Sequence, residues 1–166
     1  MVHNDCFLHI EKITIDNVLR SFQFKLLHRI IYVNDKLFLF NITQTTICDF
    51  CNDAEDSIEH RFWKCRKAQE IWGNISRWYT TKTNSQVDIQ YHHVVSNKSP
   101  YLLLDFVILS TKYYIYKCFL GKCKPSLENL IREIKHLEAI EKDIAVRKGK
   151  IDAHNNKWKE LTTIGY

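Results

Sequence analysis

Cys48-Asp49-Phe50-Cys51-Asn52-Asp53-Ala54-Glu55-Asp56-Ser57-Ile58-Glu59-His60-Arg61-Phe62-Trp63-Lys64-Cys65 is the stretch that decides how this chain folds. Its spacing, C-x2-C-x8-H-x4-C, places three thiols and one imidazole close together. Zinc takes four such ligands in a tetrahedron, and a structural site leaves no coordination position open for water. A gap of two residues lets one tight turn aim Cys48 and Cys51 at the same ion. The longer loop returns the chain, and His60 with Cys65 closes the site. The expectation is therefore a structural Zn2+ site held by Cys48, Cys51, His60 and Cys65. The competing reading is a disulfide with one unpaired Cys and a surface His.

Helical patterns flank this stretch on both sides. Asp16 is a candidate N-cap, followed by Val18, Leu19, Phe22, Leu26, Leu27, Ile30 and Ile31 at helical spacing. Lys36-Leu37-Phe38-Leu39-Phe40 suggests a second, short helix. Ala68, Ile71, Trp72, Ile75, Trp78 and Tyr79 form an amphipathic stripe after the loop. His60 and Cys65 are five apart, about 140° around a helix of 3.6 residues per turn. They cannot both face one ion from a regular helix, so an irregular turn is expected between them. Residues 86–95 read as a short strand or a loop. Tyr101 to Leu120 is apolar almost all round, as in a buried helix; Asp105, Lys112 and Lys117 argue against a membrane span. Ser126 caps a long final helix with its stripe at Leu127, Leu130, Ile131, Ile134, Leu137 and Ile144, and with Gly149 as a possible interruption. Glu128–Arg132, Glu138–Lys142 and Asp143–Arg147 are favourable i,i+4 pairs. Lys157-Trp158-Lys159 closes a polar tail.

The fold class expected is mainly α, a helical domain with a zinc knuckle and a long C-terminal helix. Four Gly and two Pro in 166 residues are too few turn formers for a many-stranded fold, and 45% hydrophobic residues suffice for a core. The organisation expected is a poorly ordered N-terminus at 1–15, with a short strand through Ile13 and Ile15 as the alternative. A zinc-binding domain at 16–80, a linker at 81–99 and a C-terminal helical tail region at 100–166 follow. His3, Asp5 and His9 interrupt any apolar run at the start, so no signal peptide is read; a reducing, intracellular compartment, nucleus or cytoplasm, is expected.

Charge is unevenly spread. Between Cys48 and Cys65 five acids face two bases, whereas the rest of the chain has 22 bases against 14 acids. A polyanion would meet the basic segments beside the knuckle rather than the acidic loop.

Arg20-Ser21-Phe22-Gln23-Phe24-Lys25-Leu26-Leu27-His28-Arg29, the cluster with Glu59-His60-Arg61-Phe62-Trp63-Lys64-Cys65, and Ile71-Trp72 resemble the zinc-binding region that follows the polymerase in reverse transcriptases of LINE-type (non-LTR) retrotransposons. The stretch from Leu109 to Cys118, with Pro125 and residues 127–135, resembles the C-terminal tail of the same reading frames. The resemblance implies that Cys48, Cys51, His60 and Cys65 are zinc ligands. The family's polymerase holds magnesium through a Tyr-x-Asp-Asp motif, which is missing here, as are the fingers, palm and endonuclease. The chain is thus expected to be a non-catalytic C-terminal fragment or truncated copy. It would hold template RNA or target DNA without sequence preference beside a reverse transcriptase polymerase domain. The alternative is a structural or protein-interaction zinc module that binds no nucleic acid.

Candidate phosphate contacts are Lys25, His28 and Arg29 on the first helix and Arg61, Lys64, Arg66 and Lys67 after His60. Solvated faces are the bland explanation for all of them. Trp63 is a stacking platform or, more in keeping with its place beside a small metal site, a packing residue. Lys112, Lys117, Lys122 and Lys124 form a third basic group, and His92 and His93 are read as exposed loop residues. His9-Ile10-Glu11 with Cys48-x-x-Cys51 superficially matches a zinc deaminase, but Ile47 stands where Pro belongs and His60 and Cys65 go unexplained. Cys48-x-x-Cys51 as a redox pair lacks a βαβ setting.

Overall fold

The computed structural model describes residues 9–162. Among them a helical turn at 9–13 is followed by α1 (Asn17–Leu27), α2 (Asn34–Leu39), a π-helical turn (His60–Lys64), α3 (Arg66–Thr83), α4 (Tyr91–Ser96), α5 (Leu102–Leu120), α6 (Leu127–Arg147) and α7 (Ile151–Thr162). The described residues contain no strand, only an isolated antiparallel bridge between Ile47 and Glu55. The mainly α expectation holds.

The caps do what their residue types allow. Asp16 Oδ1 accepts from the Val18 N–H at 2.7 Å and fixes the start of α1; Ser126 Oγ accepts from the Asn129 N–H at 3.4 Å at the start of α6. The α1 stripe is shorter than its spacing suggests. Leu19, Phe22 and Leu26 are buried, but the helix ends at Leu27, and Val18 and Ile30 face solvent. Its end is a Schellman turn: the Ile30 N–H reaches Lys25 O at 2.8 Å and the Arg29 N–H reaches Leu26 O at 3.1 Å. Arg29 occupies the left-handed position (φ 55°), where Asn41 (φ 56°) and Gly149 (φ 64°) serve the same purpose elsewhere in the chain.

α5 is the axis of the fold. It packs against α1, α4, α6, α7 and the π turn, and its residues from Leu103 to Lys112 are all buried. No helix of the described residues is long and apolar enough to cross a membrane. Lys112 lies fully buried in this axis, so it does not belong to a surface basic group. Its Nζ donates to Gln23 Oε1 at 2.7 Å and Val94 O at 2.8 Å, which ties α1 and α4 to α5.

Several expectations are corrected. Residues 9–15 are neither a disordered arm nor a strand: residues 9–13 are helical, Ile10 and Ile13 lie in the core, and residues 1–8 fall outside those described. Residues 81–99 are not a linker. α3 continues to Thr83, residues 91–96 form α4, and Ile89 and Val94 join one core that runs from Ile10 to Leu161. The long final helix breaks at Gly149, and the polar tail folds back as α7. Trp158 is fully buried there, its ring 5.1 Å from Phe106. Glu141, inside α6, accepts from the Ile15 N–H at 3.2 Å and from Lys157 Nζ, so it binds the N-terminal segment and α7 together. Of the three i,i+4 pairs, Arg132–Glu128 (3.1 Å) and Arg147–Asp143 (2.9 Å) form, while Glu138 turns to His154 Nε2 at 3.2 Å.

Burial lowers the Lys112 pKa from 10.5 to about 7. Between those values the unfolded chain binds a proton that the folded one does not, so stability rises with pH through this window. The expected outcome is a melting temperature that climbs between pH 7 and pH 10 in the wild type. Lys112→Met should lack that climb in parallel thermal melts.

Candidate metal centre

A small hairpin presents the first two ligands. The Cys48 N–H bonds Ala54 O at 2.9 Å and the Asp56 N–H bonds Thr46 O at 2.8 Å, on either side of the Ile47–Glu55 bridge. The Asn52 N–H returns to Cys48 O at 2.8 Å, and Asn52 takes a left-handed φ of 58°, a conformation Asn tolerates better than most residues. This turn points Cys48 Sγ and Cys51 Sγ the same way.

The other two ligands come from the π turn. The Cys65 N–H bonds His60 O at 2.8 Å, an i,i+5 closure. A π turn brings residues five apart over one another, which an α-helix cannot. The irregular turn required by the spacing is thus a π turn. Cys65 then leaves the helical region (ψ 129°) and becomes the N-cap of α3. Its sulfur sits at the N-terminus of α3, where the backbone of Lys67 and Ala68 lowers the thiol pKa, so the positive end of α3 favours a thiolate there.

The four ligand atoms all lie within 4.8 Å of one another and all four residues are buried. Cys48 Sγ is 3.9 Å from Cys65 Sγ, and Cys51 Sγ is 3.4 Å from His60 Nε2. Zn–S bonds of about 2.3 Å and Zn–N bonds of about 2.0–2.1 Å give tetrahedron edges of roughly 3.5–3.8 Å, so the donor set fits the ion. Cys48, Cys51 and Cys65 are free thiols, which rules against the disulfide reading. Burial pushes the His60 imidazole below its ordinary value and keeps it neutral, the form that ligates. The Cys65 thiol is pulled down to about 7 by its hydrogen bond with Cys48.

Arg61 departs most from expectation. It is not a phosphate contact: its side chain is fully buried behind the metal cluster. Its Nη2 donates to Asp49 Oδ1 at 2.6 Å and to Asp56 Oδ2, and its guanidinium stacks between the rings of Phe50 and Phe119, 4.3 Å from each centroid. Burial alone would lower its pKa; the Asp56 carboxylate more than offsets this, and the charge stays. Asp56 Oδ2 also accepts from the Asn34 N–H at 3.0 Å, and Asn34 Nδ2 donates to Ile47 O at 2.8 Å. One buried guanidinium therefore joins the knuckle to α2 and, through Phe119, to the end of α5. Sequence reasoning missed Asp56, Asn34, Phe50 and Phe119. A hint was available in Asp56, which sits one helical turn and a residue before Arg61.

The remaining candidates lie at the surface. Lys25, His28 and Arg29 are exposed at the C-terminal end of α1. Lys64 pairs with Glu59 at 3.3 Å, Arg66 with Asp53 at 3.3 Å, and the half-buried Lys67 with Glu70 at 2.8 Å. Exposed pairs of this kind contribute little and exchange readily for another anion. Lys117 pairs with Glu133 at 2.9 Å, and Lys122 and Lys124 are exposed. His92 is exposed on α4, while His93 Nδ1 accepts from the Gln90 N–H at 3.1 Å and caps that helix. His9 Nε2 lies 2.8 Å from Asp105 Oδ2, away from the cluster, which removes the deaminase pattern. Trp63 packs on the core with its ring 5.9 Å from that of Tyr91.

Residues 4–72 match the family model described as zinc-binding in reverse transcriptase, a span that contains all four ligands. No curated protein and no solved structure matches the chain.

Three outcomes are expected of this centre. Chelation should release one zinc per chain and cost helix content in circular dichroism, because metal binding of this type supplies roughly 10–16 kcal/mol. The same loss should follow acidification: the depressed His60 pKa contributes stability above about pH 6.5 that disappears as pH falls below it. Arg61→Ala should destabilise the fold by about 3–5 kcal/mol in urea melts, because Asp56 is left as a buried, uncompensated charge.

Proposed function

We propose that the zinc-binding module of the reverse-transcriptase type carried by this chain is non-catalytic and holds RNA or DNA through phosphate contacts. By resemblance to LINE-type retrotransposon proteins, the strand would be template RNA or target DNA held beside a polymerase domain. The observation that carries the reading is the convergence of two basic segments far apart in sequence. Arg29, from the end of α1, lines one groove together with Glu59, and Glu59 pairs with Lys64 of the π turn at 3.3 Å. Lys25 and His28 continue the first segment, and Arg66 and Lys67 continue the second. Arg61 is left out because it is buried. The zinc centre takes no part in chemistry on this reading; it fixes the two segments relative to each other.

The second reading is docking on the polymerase domain of a longer protein. Phe38, Leu39, Phe40, Ile42 and Leu120 are exposed around α2 and the end of α5, beside a cavity of about 690 Å³. Apolar exposure concentrated in this way marks interaction surfaces.

A gel-shift series on the zinc-loaded chain separates the two. If the five surface bases Lys25, Arg29, Lys64, Arg66 and Lys67 contact phosphates, affinity should fall by about 100-fold between 50 and 200 mM salt. The paired Lys25→Glu and Arg29→Glu substitutions, or Lys64→Glu with Arg66→Glu and Lys67→Glu, should abolish the shift. No shift at low salt favours docking.

A further inference from the structure

We infer that the groove between the end of α1, the π turn and α4 is a pocket for one unpaired nucleobase of a bound single strand. This rests on the nucleic-acid reading above and goes further, because phosphate contacts alone do not distinguish single strands from duplexes.

The groove has a cavity of about 200 Å³. Pockets for drug-sized ligands run to about 300–1,000 Å³, so this one suits a single ring system. Its floor is apolar, with Leu26, Phe62 and Val94 all buried. Its aromatic wall is Trp63 and Tyr91, the latter 41% exposed. The two rings are tilted by 50° and touch each other, so a base does not slide between them. It lies over them on the open side, where stacking on an aromatic face is tolerant of base identity.

The rim carries complementary charge. Glu59 lines the groove and pairs with Lys64 through Oε2 at 3.3 Å, and its carboxylate can also accept from an exocyclic base amine. Arg29 lines the groove and Lys64 is paired with its Glu59, so both are candidates for the phosphates that flank the stacked base. An apolar protein side chain would have no use for this set of charges.

Arg29 supplies an independent observation. It holds a left-handed backbone conformation, as Asn41, Lys122 and Gly149 do at equivalent helix ends. Among the described residues the Arg29 guanidinium forms no ion pair, and it lines the groove.

The test uses the whole zinc-loaded chain and fluorescence anisotropy with labelled 12-nucleotide single strands, ribo and deoxyribo. Each is paired with an abasic version of equal phosphate count. The intact strand is expected to bind at least about 10-fold more tightly than the abasic one in at least one of the two sugars. Trp63→Leu keeps the apolar volume and should bring the intact strand down to the abasic level. Tyr91→Ala should do the same, and it carries the comparison if Trp63→Leu fails to fold. Arg29→Gly should bind both strands several-fold more weakly while melting no lower than wild type. Equal affinity for intact and abasic strands in both sugars overturns the pocket and leaves the phosphate reading standing. Absence of binding to every strand at low salt overturns both.

Discussion

Three sulfurs and one imidazole nitrogen, drawn from a hairpin and a π turn, converge within 4.8 Å of one another. The rest of the fold depends on that convergence. An isolated hairpin turn and a single π turn have almost no stability of their own, since each spends backbone entropy for very few hydrogen bonds. A metal ion makes them one rigid unit. α3 starts from its last ligand, and the carbonyl oxygen of Cys51 accepts from Arg66 Nη2 at 3.0 Å, so the hairpin is latched to the helix it launches.

Behind the cluster, a buried charge does work that apolar packing alone would not. Arg61 satisfies two carboxylates and two aromatic faces at once, and Asp56 passes the connection on to the start of α2. Such a pair adds little net stability compared with an apolar replacement of the same shape, and Arg61 Nε, Arg61 Nη1 and Asp56 Oδ1 stay without hydrogen-bond partners, but the Nη2 bonds tie the two elements together. It fixes the angle between the knuckle and α5. Because α5 is the axis on which α1, α4, α6 and α7 pack, the metal centre and the helical body hold a defined orientation. That orientation brings Arg29 and Glu59, the partner of Lys64, to one groove.

The ligand set was legible because few residue types bind zinc and their spacing was short. The need for an irregular turn between His60 and Cys65 was legible for the same reason: helical geometry forbids a straight helix there. Its identity as a π turn was not, because an unwound loop would meet the same requirement. The capped starts of α1 and α6 and the burial of α5 followed from local pattern. What pattern could not show was long-range pairing. Arg61 looked like one more surface base in a charged stretch; its burial needs Phe119, which lies far later in the chain. Lys112 joined a basic group by count, while its partners Gln23 and Val94 come from two other helices. Trp158 sits in a polar run, and only the turn at Gly149 reveals that this run folds back onto Phe106. Each miss is a polar or aromatic side chain whose environment is made by residues distant in sequence.

The central claim is that these four side chains form the complete coordination shell of one zinc ion. X-ray absorption at the zinc edge of the purified, reduced protein addresses it most directly. The expected spectrum has three sulfur scatterers at about 2.3 Å and one nitrogen at about 2.0–2.1 Å, with no water oxygen. A shell dominated by nitrogen and oxygen, or one with fewer than three sulfurs, would contradict it.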